Sequence, residues 1–155
     1  MTINQANAIT CLSNRDLYAR VDAINSSCEK IFGRGDRSKI IQKLSGKEDI
    51  ALHQYCNDVD DILAFKLGYA EDNLSFYSWL GGVTPDMRGG NLARDLMTTQ
   101  HRWATEQGYQ TVTTRTEQNN ERMSTINVAA GFVEYEIITK DDGRKLRCFR
   151  KSLRF

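Results

Sequence analysis

The chain has 155 residues, 40% of them hydrophobic and 26% charged, and a formal net charge of +1. That size and balance suit one soluble globular domain, residues 1–155, with a core of its own. Near-neutrality excludes a general attraction to nucleic acid or an anionic membrane, and no apolar run approaches the roughly 18 residues of a membrane span.

The opening "MTINQANAIT" has neither the basic start nor the apolar centre of a signal peptide, so a cytoplasmic location is expected. Cys11, Cys28, Cys56 and Cys148 are scattered, without a CxxC pair or a histidine cluster. They read as reduced, mostly buried small hydrophobes, with no metal site.

The first forty-odd residues read as helical. Leu17, Val21, Ile24, Cys28 and Ile31 recur at spacings of four and three, and Ser13 with Asp16 forms a capping box ahead of them. Gly33 and Gly35 break that pattern, and a second helix is expected from Asp36 to about Ser45, with Ile40, Ile41 and Leu44 on one face. The period then changes to two. "IALHQYC" and "ILAFKLGY" read as strands joined by "NDVDD", and "NLSFYSWLGGV" reads as a third. A helix from Leu92 to about Gln107 carries Leu92, Leu96 and Trp103 on one stripe and ends at Gly108. "YQTVTTRT" is a strand, "NERMSTINVAAG" a short helix closed by Gly131, and "FVEYEIIT" and "RKLRCFRKSL" a hairpin around "KDDG". This order predicts an α/β (α+β) domain, a mixed sheet with helices on its faces.

The junction "GGVTPDMRGGNLARDLM" leads from strand to helix and contains the only proline. A glycine-rich turn before a helix presents unpaired backbone N–H groups, a setting that attracts phosphate. The triphosphate loop GxxxxGK[ST] and the dinucleotide fingerprint GxGxxG are both absent. The alternative is that Gly89 and Gly90 only turn the chain.

"VTPDMRGGNLA" resembles the acetyl-CoA pyrophosphate loop of the GNAT superfamily of N-acetyltransferases, Arg/Gln-x-x-Gly-x-Gly/Ala shortly after Val-x-Pro. Arg88 and Ala93 match its first and last positions; Asn91 stands at the middle glycine, where its tolerance of positive φ would keep the loop's shape. "NERMSTINVAAGF" is similar to a second family motif through Asn120, Met123, Ile126, Asn127 and Gly131-Phe132. The resemblance covers about Ile50 to Leu153. It implies a mostly antiparallel sheet with helices on both faces and a splayed central strand pair, and acetyl transfer from acetyl-CoA to a primary amine by direct attack in a ternary complex.

In that resemblance Gly81-Gly82 lies where the strand bulges, and Gly82, Val83 and Thr84 offer backbone groups to the pantetheine arm. The amides of Arg88, Gly89, Gly90, Asn91, Leu92 and Ala93 hold the pyrophosphate. Arg88 pairs with a phosphate oxygen or caps the surface. A backbone N–H between about Leu80 and Val83 is the oxyanion donor. Asn127 takes the place of a tyrosine general acid and is assigned to cofactor contact, since an amide cannot supply a proton. Asn120 bonds pantetheine, caps its own helix, or does both. An alkylammonium with a pKa of about 10 must lose a proton before it attacks. The candidates for that chemistry are Glu71 and Tyr77, although Tyr77 also reads as pocket wall and Glu71, with Asp72, as a solvated turn. His53 shares a face with Ala51 and Tyr55 and could look into the cleft; His101 reads as a surface residue.

A small-molecule amine is the expected acceptor, with no nucleic-acid or membrane partner, and the resemblance leaves room for a homodimer. Two other readings stay open: a non-catalytic acyl-CoA sensor with the same fold, and an acetyltransferase of protein N-termini or lysines. "RKLRCFRKSLRF", with six basic residues and no acid, reads as a solvated strand face rather than a nucleic-acid surface, and equally suits an acidic substrate.

Overall fold

The computed structural model describes residues 8–153. Its elements are β1 (Thr10–Ser13), a 3-10 segment Asn14–Arg20, α1 (Val21–Phe32), α2 (Arg37–Leu44), β2 (Ala51–Cys56), β3 (Ile62–Ala70) and β4 (Ser75–Val83). A 3-10 turn Pro85–Met87 then leads into α3 (Leu92–Glu106), β5 (Thr111–Glu117), α4 (Glu121–Ala129), β6 (Val133–Thr139) and β7 (Lys145–Ser152). Among the described residues no helix is long and apolar enough to cross a membrane.

The N-terminal segment differs from its predicted single helix. Ser13 belongs to a strand and its side chain caps nothing. Asn14 adopts φ 53 and is bonded to Ile50 through both its backbone N–H and its side-chain oxygen, which turns the chain off β2. Leu17 still reaches the core from the 3-10 segment, so the apolar spacing survives a change of helix type. The second helix starts where expected: the Asp36 carboxylate accepts from Lys39 N at 3.1 Å.

The strands form one sheet in the order β1-β2-β3-β4-β5-β7-β6, antiparallel except for β4 and β5. A parallel pair needs a crossover, and α3 supplies it. α1 and α2 cover one face. Val21, Ile24 and Cys28 of α1 and Ile40 and Leu44 of α2 pack there on Leu52, Phe65, Leu67 and Tyr69. Met97 and Ala104 of α3 meet Ala51, Phe76 and Val112 on the opposite face, and its Leu92 and Leu96 meet Ala64 and Val83. Each buried Val, Leu, Ile, Phe or Met side chain among these contributes about 1.5–3 kcal/mol.

Candidate active site

The parallel pair β4–β5 comes apart part-way along. Pairing runs from Ser75↔Thr111 to Ser78↔Thr114 and stops, although β4 continues to Val83 and β5 to Glu117. The cause lies on the other side of β4. Leu67 pairs with Leu80 but Gly68 pairs with Ser78, so Trp79 is an extra residue on β4. Such a bulge bends the strand. The Thr114 hydroxyl donates to Ser78 O at 2.9 Å where the separation begins.

The bulge therefore sits at Trp79 and not at the glycine pair. Those glycines serve close approach: a Cβ on Gly81 would fall 2.6 Å from Phe65 O, and one on Gly82 would fall 2.8 Å from Ile31 Cγ2 of α1. The register also corrects which backbone groups face the gap. Val83 pairs with Ala64, and Thr84 N donates to Leu63 O at 2.9 Å, so Thr84's N–H is committed to β3. Alternation in an antiparallel ladder turns Gly82 toward Phe65 as well, and leaves Gly81 and Val83 facing the β5 side. The Thr84 hydroxyl is buried without a partner.

At the end of β4 the chain turns through Pro85–Met87 into α3. Arg88 N donates to Pro85 O at 3.3 Å, and Arg88 Nε donates to Val83 O at 3.1 Å, clamping the turn to β4. Arg88's amide is thus occupied, contrary to expectation. The first bond into α3 from outside is Asp95 N to Asn91 O, so the N–H groups of Gly89, Gly90, Asn91, Leu92 and Ala93 have no backbone acceptor among the described residues. Gly89 has φ 92, and nothing lies within 4 Å of a Cβ built on Gly89 or Gly90. Asn91 has φ −96, so the left-handed position is Gly89 and Asn91 needs no glycine-like freedom. The Leu92 side chain is buried, so only its backbone serves the turn.

A cavity of about 480 Å³ opens between this turn and α4, lined among others by Val83, Gly89, Arg94, Met97, Arg122 and Ile126. Asn120 accepts from Met123 N at 3.1 Å and so caps α4. Asn127 is enclosed, its Nδ2 donating to Thr116 Oγ1 at 3.1 Å on the free arm of β5.

No protein-family model and no curated protein sequence matches the chain. Solved structures do. Ribosomal-protein-S18-alanine N-acetyltransferase from Escherichia coli superposes with a TM-score of 0.77 over 95% of both chains at 14% identity. A GNAT family acetyltransferase from Elizabethkingia anophelis, with acetyl-CoA bound, gives 0.66 over 94% of this chain and 99% of its own at 11% identity. Spermidine/spermine N-acetyltransferase from Vibrio cholerae gives 0.68 over 97% and 95% at 11% identity. The fold is the GNAT fold.

Within this GNAT fold, sequence reasoning missed Arg94 and Arg122. Both line the cavity, one from α3 and one from α4, and neither forms an ion pair among the described residues. A helical spacing of four puts Arg122 on the Ile126 face, a signal legible only once that face is known to border a groove.

The opposite opening of the gap carries the two residues expected to handle protons. Tyr77 is half-buried, edge-on to Tyr69 with ring centres 5.4 Å apart, and Arg115 of β5 lies 5.4 Å from its ring centre. Burial pushes the Tyr77 hydroxyl up to about 12, so at neutral pH it is a donor and not a base. Glu71 lies on the exposed β3–β4 turn, and its Oε2 accepts from Thr113 Oγ1 at 3.0 Å, across from β4. Asp72 is spent inside the turn on Leu74 N and Ser75 N.

His101 is not the surface residue expected, and His53 does not take the cleft-facing option. His53 is fully buried beneath α3, its ring 5.5 Å from Trp103, and looks away from the gap. His101 is buried too: its ring meets Phe132 edge-on at 5.5 Å, and its Nδ1 is 3.4 Å from Lys151 Nζ. α3 is buried over a wide arc that includes Gln100, and position 101 falls inside it. Cys11 is exposed rather than buried, because it lies on the edge strand β1.

Proposed function

We propose that the protein transfers an acetyl group from acetyl-CoA to a primary amine in a ternary complex. The observation that carries this reading is the coincidence of an open parallel strand pair with a turn of free N–H groups at the end of the same strand. The amides of Gly89, Gly90, Asn91, Leu92 and Ala93 would hold the pyrophosphate at the N-terminus of α3, with Arg94 and Arg122 adding positive charge. The cradle is roomy where it must be, since both glycines border open space. Gly81 and Val83 would offer backbone groups to the pantetheine arm as an added strand does, and Asn127 would reach it from the β5 side.

Acetyl-CoA supplies the acetyl group as a thioester, whose C–S bond breaks as the C–N bond to the amine forms. Glu71 would take the ammonium proton, directly or through a water. The Gly81 N–H, turned away from β3, would donate to an oxygen that gains negative charge. Tyr77, held protonated, would line the acceptor side and donate. The acceptor is a small molecule in this reading, and the protein works in the cytoplasm.

Acetyl-CoA binding should raise Tm: a ligand at a hundredfold excess over its Kd stabilises by about 2.7 kcal/mol. No shift with millimolar acetyl-CoA or CoA would sink the reading. Binding without thiol release across an amine panel would instead favour an acyl-CoA sensor.

A further inference from the structure

Three cations stand against the ring cluster Tyr69, Tyr77 and Trp79 on the acceptor side of the gap, and the charge of a fourth reaches it. Lys43, near the end of α2, has Nζ 5.9 Å from the centre of the Trp79 ring, the bulge residue. Lys47, just past α2, stands 5.1 Å from Tyr69. Arg115 lies on β5 level with the bulge, one residue past the last β4–β5 pair. Lys43 is held below the usual lysine range first by burial and then by the charges of Lys140, at the β6–β7 turn, Lys47 and Arg115.

None of the four forms an ion pair among the described residues, whereas Arg20, Arg37, Arg144 and Arg147 each have a carboxylate within reach. Aromatic faces steady such cations without neutralising them. Gathering like charges at one place is unfavourable until an anion arrives. Two carboxylates stand further along the same face. Glu71 faces Thr113, and Glu136 pairs across the sheet with Cys148, which itself pairs with Arg115. Arg115 thus has acid beside it, and the unmatched positive charge falls on Lys43 and Lys47, at and just past the end of α2.

Resting on the acetyltransferase reading, we propose that the acceptor is a small amine bearing its own anionic group, a carboxylate, phosphonate or phosphate, with its ammonium toward Glu71 and its anion toward Lys43 and Lys47. A polyamine would instead bring further positive charge against these lysines. The anion also orients the amine, since it is bound at one end of the face while the proton acceptor stands at the other.

The test uses thiol release from acetyl-CoA with paired acceptors: the common L-amino acids against their carboxamides, 2-aminoethylphosphonate against propylamine, and spermidine. At least one anionic amine should exceed its neutral partner and spermidine by about tenfold or more in kcat/KM, the weight of a charge-assisted contact. Lys43→Gln combined with Lys47→Gln should erase that preference, Lys43→Arg should retain it, and the Kd for CoA should stay as in the parent. Neutral amines or spermidine used as well as anionic ones, or no anionic amine used by a protein whose Tm rises with acetyl-CoA, would overturn the proposal. A protein that fails to bind acetyl-CoA would remove the acetyltransferase reading first, and this one with it.

Discussion

Asn127 on α4 and Thr116 on β5 share a buried hydrogen bond, Nδ2 to Oγ1 at 3.1 Å, that ties the last helix to the free arm of the gap. Asn127→Ala should therefore do two things. It leaves a buried hydroxyl unpaired, so unfolding free energy should fall by about 1–3 kcal/mol, read by urea denaturation. In the proposed function it also removes a cofactor contact, so KM for acetyl-CoA should rise by up to about tenfold with kcat nearly unchanged. An unchanged Tm together with a fall in kcat of about a thousandfold would place the amide on the reacting atoms instead.

Gly89 and Gly90 should separate cleanly. Gly89 has φ 92, so Gly89→Ala strains the turn by about 1 kcal/mol or more and should weaken CoA binding. A side chain on Gly90 meets nothing within 4 Å, so Gly90→Ala should leave Tm close to the parent's. Thermal shifts with and without CoA read both. Identical behaviour of the two variants would contradict the turn geometry.

Gly81 and Gly82 are constrained by different kinds of atom. A Cβ on Gly82 meets the side chain of Ile31, while one on Gly81 meets the Phe65 carbonyl and Lys66 Cα, which cannot step aside. Ile31→Ala should thus relieve part of the destabilisation of Gly82→Ala and none of that of Gly81→Ala, a coupling of roughly 0.5–3 kcal/mol in a double-mutant cycle. Additive effects at Gly82 and Ile31 would show that α1 does not rest on this strand.

Acid should loosen the α3 face. Burial, and then the charge of Lys66, holds His53 down to about 4; burial, and then Lys66, Lys151 and His53, holds His101 down to about 3. Both folded-state values lie below the ordinary 6.5, so the unfolded chain takes up protons that the folded one refuses. The stability they protect is complete above about pH 7 and declines as pH falls from about 6.5 toward 4 and 3. For His53 the full loss is about 3 kcal/mol. Urea midpoints between pH 7.5 and 4.5 should fall with pH, and less steeply in His53→Leu or His53→Phe. A flat profile in the parent would mean that neither ring is held neutral.

Local pattern carried much of this protein. The period-two runs of β2 to β5, the capped helix α2 and the apolar stripe of α3 sit near their expected bounds, because alternation and helical spacing follow from one segment meeting one apolar layer. A turn before α3 was legible from its glycines, but the left-handed conformation expected at Asn91 lies at Gly89. β1 was not legible, being four residues long, mostly exposed, and held by the backbone of β2 rather than by a pattern of its own.

The site depended on pairing. Whether an amide faces the gap or the neighbouring strand is set by register, which is why Thr84 and Arg88 turned out to be occupied and Gly81 free. A bulge shows only when two strands are laid side by side, so it could be placed at Trp79 only from the Leu67↔Leu80 and Gly68↔Ser78 pairs. The acceptor side goes further still. Lys43 and Lys47 are ordinary residues far from Arg115 in the chain, and nothing in its order says that they gather. Only the packing of α2 over the face that carries Tyr69, Tyr77 and Trp79 sets them against one cluster of rings.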